Sequence, residues 1–226
     1  MLSSPKRNLL NIVRGVLGPL QTNTYLIKLK EKCLIVDPAD RADILCKFVK
    51  ENYPNTTPDI LLTHGHFDHM MAIPEICKEF PKTKIFASEK DLPAFKDPAL
   101  NLSRPEGIEF TLDECLDKLH FVKDGEKLNF NDVVFKILDI PGHSPGSIGF
   151  LSEEDRALFS GDTLFFGSVG NTELPRADYY QMMKSISEKL LVLPEYTQVF
   201  PGHGDDTTIG TELKLNPFIK SQAKVK

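Results

Sequence analysis

The chain has no tryptophan, few cysteines and no surplus of positive charge. Each scarcity narrows what it can be. Its four cysteines, Cys33, Cys46, Cys77 and Cys115, include no CxxC pair. They make neither the disulfide frame of a small secreted domain nor a cysteine-based zinc knuckle, and they read as reduced thiols in a cytoplasmic protein. No apolar run approaches the ~20 residues that a membrane-spanning helix needs, so no membrane partner is expected. Lys and Arg number 27 against 32 Asp and Glu, a formal net charge of −5. That balance gives no general attraction to nucleic acid. Low-complexity tracts and a clear linker are also missing, and 226 residues suit one domain of two similar halves that meet near residues 118–122. Lys6, Arg7 and Arg14, with no acid before Glu31, have the basic bias of a transit peptide, but no apolar signal core lies among them and the residues before the first strand read as a frayed start.

What is present is a regular alternation of short apolar runs and amphipathic stretches. Residues 9–17, 22–30 and 32–36 read as strands, with Gly18-Pro19 as a turn. Residues 41–53 read as a helix with Ile44, Leu45, Phe48 and Val49 on its buried face. A short buried strand, 59–63, leads into Thr63-His64-Gly65-His66-Phe67-Asp68-His69, and a helix follows with Pro74 near its first turn. Residues 84–87 form another expected strand, whereas 91–118 are punctuated by proline and show no clear period. In the second half, 133–140 and 198–200 read as strands, and 147–151 with 157–160 as a hairpin. Asp178 is placed to cap a helix through about Leu190, with Gln181 three residues on as in a capping box. A short helix with Pro217 near its end closes the chain. Strands followed by strand–helix alternation, twice over, suggest two sheets packed face to face with helices outside.

Five of the six histidines fall in three motifs. His64, His66 and His69 share the first, His143 stands in Pro141-Gly142-His143-Ser144-Pro145-Gly146, and His203 stands in Pro201-Gly202-His203-Gly204. Asp162 joins them in Gly161-Asp162-Thr163. Each motif follows an expected strand, where site residues usually sit on loops of a rigid scaffold. His64 and His66 are two apart, so on extended backbone both point to the same side and can grip one metal. Asp68 and His69, where the chain turns into the helix, can face a second metal, and Asp162 has two oxygens with which to bridge. Imidazole and carboxylate suit zinc first, and also iron or manganese. A structural zinc site would favour cysteine, and none lies in these motifs. A catalytic pair of divalent ions, about 3.5–4 Å apart, is the expectation. His120 lies outside the motifs and reads as a surface or hydrogen-bonded residue.

These motifs, in this order, resemble those of the metallo-β-lactamase superfamily over nearly the whole chain, from Thr22-Asn23-Thr24-Tyr25 to Asn216-Pro217-Phe218. The resemblance implies an α/β fold, a four-layered αββα sandwich of two mixed sheets with outer helices. It implies one metal held by His64, His66 and His143 and another by Asp68, His69 and His203, with Asp162 bridging. Within the superfamily the chain is similar to the glyoxalase II group, the hydroxyacylglutathione hydrolases, in their short form without the C-terminal helical domain. Gly18-Pro19-Leu20-Gln21-Thr22-Asn23, Leu174-Pro175-Arg176-Ala177-Asp178 and the segment from Thr207 to Glu212 carry that likeness. Two positions depart from it: Gly170-Asn171-Thr172-Glu173 stands where the group has Gly-Arg-x-Asp, and Asp37-Pro38-Ala39 where it has Asp-Pro-Gly. Asp37 is a candidate partner to the ligands, with a plain turn residue as the alternative.

The activity so implied is hydrolysis of a small-molecule thioester by a metal-activated water, with Asp68 orienting the nucleophile as the catalytic acid/base. Phe166, Arg176 and Tyr179 lie near the motifs in sequence and are candidates for lining the substrate pocket, with surface packing as the other role. A rival is a persulfide dioxygenase-like enzyme with one iron held by two histidines and an aspartate. The full set of seven ligands argues for two metals instead. A phosphodiesterase or nuclease on the same fold would need a basic substrate face, which a net charge of −5 does not promise.

Overall fold

The computed structural model describes residues 10–223. Leu9, the expected start of the first strand, and the basic pair Lys6 and Arg7 lie outside the described residues. Six strands make the first sheet, in chain order: β1 (Asn11–Leu17), β2 (Thr22–Lys28), β3 (Cys33–Val36), β4 (Asp59–Leu61), β5 (Ile85–Ala87) and β6 (Leu119–Phe121). The first three are antiparallel neighbours and the rest pair in parallel. The second sheet is built from β7 (Lys127–Asn129), β8 (Val134–Asp139), β9 (Ile148–Ser152) and β10 (Ala157–Gly161). After a small hairpin of β11 (Leu164–Phe165) and β12 (Ser168–Val169), it gains β13 (Gln198–Pro201) and β14 (Thr207–Thr208).

Period-2 alternation within these strands separates three apolar cores. Tyr25, Ile27, Leu34, Val36 and Leu61 point inward and meet Phe135, Ile137, Phe150 and Phe159 of the second sheet. The neighbours Leu26, Ile35, Ile60 and Leu62 point the other way, onto helices α1 (Ala42–Asn52) and α2 (Ile73–Glu79). On the far side of the second sheet, Leu138, Leu151, Leu158 and Val199 pack on α4 (Tyr179–Ser185) and α5 (Ile209–Leu215); α3 (Leu92–Lys96) lies in the segment between β5 and β6, and α6 (Pro217–Ala223) follows α5. The result is helix, sheet, sheet, helix, as the family resemblance implied.

Several local expectations need correction. Ile44 is 45% exposed, because the buried stripe of α1 runs through Leu45, Phe48 and Val49 at i, i+3 and i+4. The stretch 91–118 holds α3 and short 3-10 turns, too brief for a period to show. The closing helix is two helices. Pro217 begins the second, where its missing N–H costs nothing. Asp178 does cap α4, its carboxylate accepting from the Gln181 amide. The return arm of a capping box is absent because the Asp178 N–H donates to Gly142 O at 2.7 Å. The last turn of that helix, Ile186–Leu190, widens to the i→i+5 pattern.

Candidate metal centre

β4, β8, β10 and β13 end on the same side of the sandwich, and the His- and Asp-bearing motifs follow those ends. The loops therefore converge although they are far apart in sequence. Three overlapping groups of donor atoms lie within 4.8 Å of one another: His64 with His66 and His143, His64 with His69 and Asp162, and Asp68 with His69 and His203. All but His203 are buried. The structure thus brings together all seven residues nominated as ligands.

Their spacing can be tested against metal chemistry. Two nitrogens on a tetrahedral ion at 2.0–2.1 Å stand about 3.3 Å apart. His64 Nε2 and His66 Nδ1 are 3.1 Å apart. Asp162 Oδ2 is 3.4 Å from Nε2 of both His143 and His203, and its Oδ1 is 3.5 Å from His69 Nε2. Asp68 Oδ2 is 3.4 Å from Nε2 of both His69 and His203. Three of these atoms, His69 Nε2, His143 Nε2 and Asp162 Oδ1, are buried without a hydrogen-bond partner. Such orphans are costly unless a ligand meets them. The donor set fits divalent metal binding.

The hydrogen bonds around the donors fix which atom of each faces inward. Asp37 sits in the left-handed region at φ 48°, uncommon for a residue with a side chain. Its buried carboxylate accepts from the Thr63 N–H at 2.8 Å, the Thr63 hydroxyl at 2.7 Å and His69 Nδ1 at 2.9 Å. A proton held on Nδ1 leaves the His69 Nε2 lone pair free for a metal. Asp37 therefore acts on the ligands, and the plain turn role is set aside. His143 Nδ1 is held in the same way by Asn171 O at 2.9 Å. The Thr22 hydroxyl donates to Asp68 Oδ2 at 2.7 Å. Asn23 Nδ2 and the Tyr25 hydroxyl both donate to Pro201 O, which ties the His203 loop to the first sheet. A side chain at Gly202 would strike the Asp162 carboxylate and stand 2.6 Å from the His69 ring, so only glycine fits there.

Thr22-Asn23-Thr24-Tyr25 stands out in the sequence as a motif without showing its work, and nothing in the sequence marks Asn171 as a contributor. A carbonyl leaves no signature in residue type. That also explains why asparagine is admissible where the group has arginine. The other nominations fare differently. Phe166 is 54% exposed at the tip of the β11–β12 hairpin, and its neighbour Phe165 is the one that meets the His203 ring edge-on at 6.1 Å. Arg176 donates to Lys90 O at 3.2 Å, and Tyr179 packs against Tyr180. Among the described residues, no hydrogen bond or ring contact joins Phe166, Arg176 or Tyr179 to the His/Asp cluster.

Electrostatics divide the cluster in two. Burial, aided by neighbouring imidazoles, pushes His64 well below the ordinary histidine range and His66 down to about 3. Both are neutral at pH 7, as metal ligation requires. Burial opposes charge in the other half too, yet there the carboxylates win. Asp68, Asp162 and Asp37 raise His69 well above its ordinary value, and Asp162 with Asp68 raises His203 to about 9. In return, His69, His203 and Thr22 outweigh burial at Asp68 and lower it to about 2. His69 and His203 likewise hold Asp162 well below the usual carboxylate range. Two buried carboxylates thus demand positive charge at this spot, which protons on His69 and His203 or a metal ion can supply.

Fold and site together define an αββα protein with a buried His/Asp metal-binding cluster at one edge of its sheets. Residues 17–203 match the family model described as the metallo-beta-lactamase superfamily. The chain belongs to that superfamily. Over 90% of its length and 95% of the relative's, it is 38% identical to the hydroxyacylglutathione hydrolase GloC of Haemophilus influenzae. It is 36% identical to the probable metallo-hydrolase YqgX of Bacillus subtilis, over 91% and 96% of the two chains. Among solved structures it is similar to the B3 metallo-beta-lactamase BLEG-1, with TM-score 0.83 and 37% identity over 92% of this chain and 99% of that one. It is also similar to TTHA1623 in a di-iron-bound form, with TM-score 0.78 and 36% identity over 91% and 99%. The protein is a metallo-hydrolase by family, and no helix among the described residues is long and apolar enough to cross a membrane.

Proposed function

We propose that this protein is a two-metal hydrolase that cleaves a thioester, such as a hydroxyacyl-glutathione or a related acyl-thiol. The observation that carries the reading is Asp162, whose oxygens lie 3.4–3.5 Å from donors of both triads. The named activity of GloC and the di-iron form of TTHA1623 support it. His64, His66 and His143 would hold one ion and Asp68, His69 and His203 the other, with Asp162 as the donor that both groups share. Zinc is the first candidate for both, with iron or manganese as the alternatives. When bound, the ions supply activation of a water at neutral pH and polarisation of the acyl carbonyl.

The chain's own residues do the rest. Asp37 and Asn171 hold His69 and His143 in the tautomers that face inward. Thr22 pins Asp68 Oδ2 toward the second triad, which leaves Oδ1 to orient the attacking water and receive its proton. Phe165 stands edge-on beside the His203 ring and walls that side of the site. The thiolate leaves with a pKa of about 8.5, so it departs without a general acid. Small molecules are the only partners in this reading, and four free cysteines accord with a cytoplasmic setting.

Hydrolysis of a β-lactam is a second reading, favoured by the likeness to BLEG-1. Its leaving nitrogen is far more basic than a thiolate and asks for a proton donor, which would give Asp68 a second task that a thioester does not require. The test is metal quantification on the purified protein, with turnover measured on thioesters with and without a glutathione moiety and on a chromogenic cephalosporin. Two equivalents of metal and thioester turnover abolished by His66→Ala are expected. Full thioesterase activity in metal-stripped protein, or turnover of the cephalosporin alone, would overturn the reading.

A further inference from the structure

Asp91 stands in the segment whose sequence shows no clear pattern, at the junction of the 3-10 turn Glu89–Asp91 and α3. It is 1% exposed. Its Oδ2 accepts from the Gly65 N–H at 2.9 Å and from the Ser144 hydroxyl at 2.7 Å, and its Oδ1 accepts from the Gly146 N–H at 3.0 Å. Gly65 lies between His64 and His66, and Ser144 follows His143. One carboxylate therefore grips two loops from different sheets, through Gly65 and Ser144 beside three donors of the cluster and through Gly146 further along the second loop.

We infer that Asp91 is a positioning residue for the metal centre, a clasp that sets the spacing between the His64/His66 loop and the His143 loop. The inference rests on reading His64, His66 and His143 as one ligand triad. Across the clasp, the His143 ring stands 4.9 Å from that of His64 and 4.6 Å from that of His66. Among the described residues, the Asp91 side chain bonds only to these three donors, and they come from both histidine-bearing loops. Its geometry is exacting as well. A Cβ at Gly146 would come within 2.5 Å of Asp91 Cγ, which explains the second glycine of Pro-Gly-His-Ser-Pro-Gly. The Ser144 hydroxyl is held in turn by Ser147 Oγ at 3.0 Å, so the serine of that motif is also accounted for.

The test compares Asp91→Asn and Ser144→Ala with the wild-type chain. Zinc affinity is measured by competition with a chromophoric chelator, far below the melting temperature, where each variant is folded. Asparagine keeps the volume, but its oxygen accepts from one glycine amide while its own N–H₂ faces the other. The expected result for Asp91→Asn is a fall in zinc affinity of about tenfold, the low end for groups that support ligands from outside. Ser144→Ala, which leaves both amide bonds in place, falls less. A folded Asp91→Asn protein that binds zinc as tightly as wild type would overturn the inference. If that variant does not fold, Ser144→Ala decides alone: weakened zinc binding supports the clasp and unchanged binding refutes it. Zinc binding is read without any substrate, so failure of the thioester assignment would leave this result standing.

Discussion

Replacing Asp37 by asparagine should weaken the second triad through a tautomer change, with almost no change in volume. Asp37 accepts three hydrogen bonds inside the protein, from the Thr63 N–H, the Thr63 hydroxyl and His69 Nδ1. The asparagine oxygen can keep the Thr63 N–H, and the hydroxyl can rotate to accept instead of donate. His69 has no such freedom. An N–H₂ group facing Nδ1 forces the ring to present a lone pair there, so the proton that remains sits on Nε2, the atom that faces Asp68 and Asp162. A protonated Nε2 cannot ligate a metal. Loss of a partner of this kind lowers metal affinity by about 10- to 100-fold, which at 1.36 kcal/mol per decade is roughly 1.4–2.7 kcal/mol. Chelator competition would show one of two zinc equivalents weakened, and nitrogen NMR would show His69 Nδ1 without the proton it carries in the wild type. Unchanged affinity for both equivalents, with the His69 proton still on Nδ1, would refute the reasoning.

Other consequences can be measured independently. Asn171→Ala should leave metal content near wild type, because His143 bonds the backbone carbonyl; loss of a metal equivalent would contradict that assignment. Phe159→Ala should cost about 3–5 kcal/mol in urea unfolding, the usual range for deleting a buried aromatic, since the ring packs between the sheets on Tyr25, Phe135 and Phe200. A negligible loss would mean that the inter-sheet core contributes little. Stripping the metal should lower the melting temperature, because ions bind the folded chain; at 100 times the dissociation constant the difference is about 2.7 kcal/mol. Identical melting curves with and without chelator would argue against a filled site.

The identity of the donors was legible because their signal is local. His64 and His66 two apart on extended backbone, and histidines or aspartate beside glycine just after apolar runs, are patterns that need no knowledge of the fold. The strands were legible for the same reason, as Leu34, Ile35 and Val36 alternate between two cores. Brief elements were not: β6, β7, β14 and the 3-10 turns of the 91–118 stretch are too short to display a period. Exposure at Ile44 and the break before Pro217 show the limit of pattern at single residues, since one position of rotation decides burial.

The sequence by itself thus named the donor side chains that the fold gathers and, through its strand–helix pattern, two sheets packed face to face, while the family resemblance implied that the donors meet at one edge of them. Only the tertiary structure decided how those side chains are held. It assigned the His143 proton to a carbonyl at Asn171, gave Asp37 three donors, put Phe165 rather than Phe166 against His203, and turned the Asp178 N–H to Gly142 rather than to Gln181. It also brought Asp91 onto two loops distant from it in the chain, 26 residues away at Gly65 and 53 at Ser144. The physical reason is common to all of these. A ligand is announced by its own residue type and spacing, whereas its support comes from backbone atoms and distant carboxylates whose role exists only once the two sheets have packed.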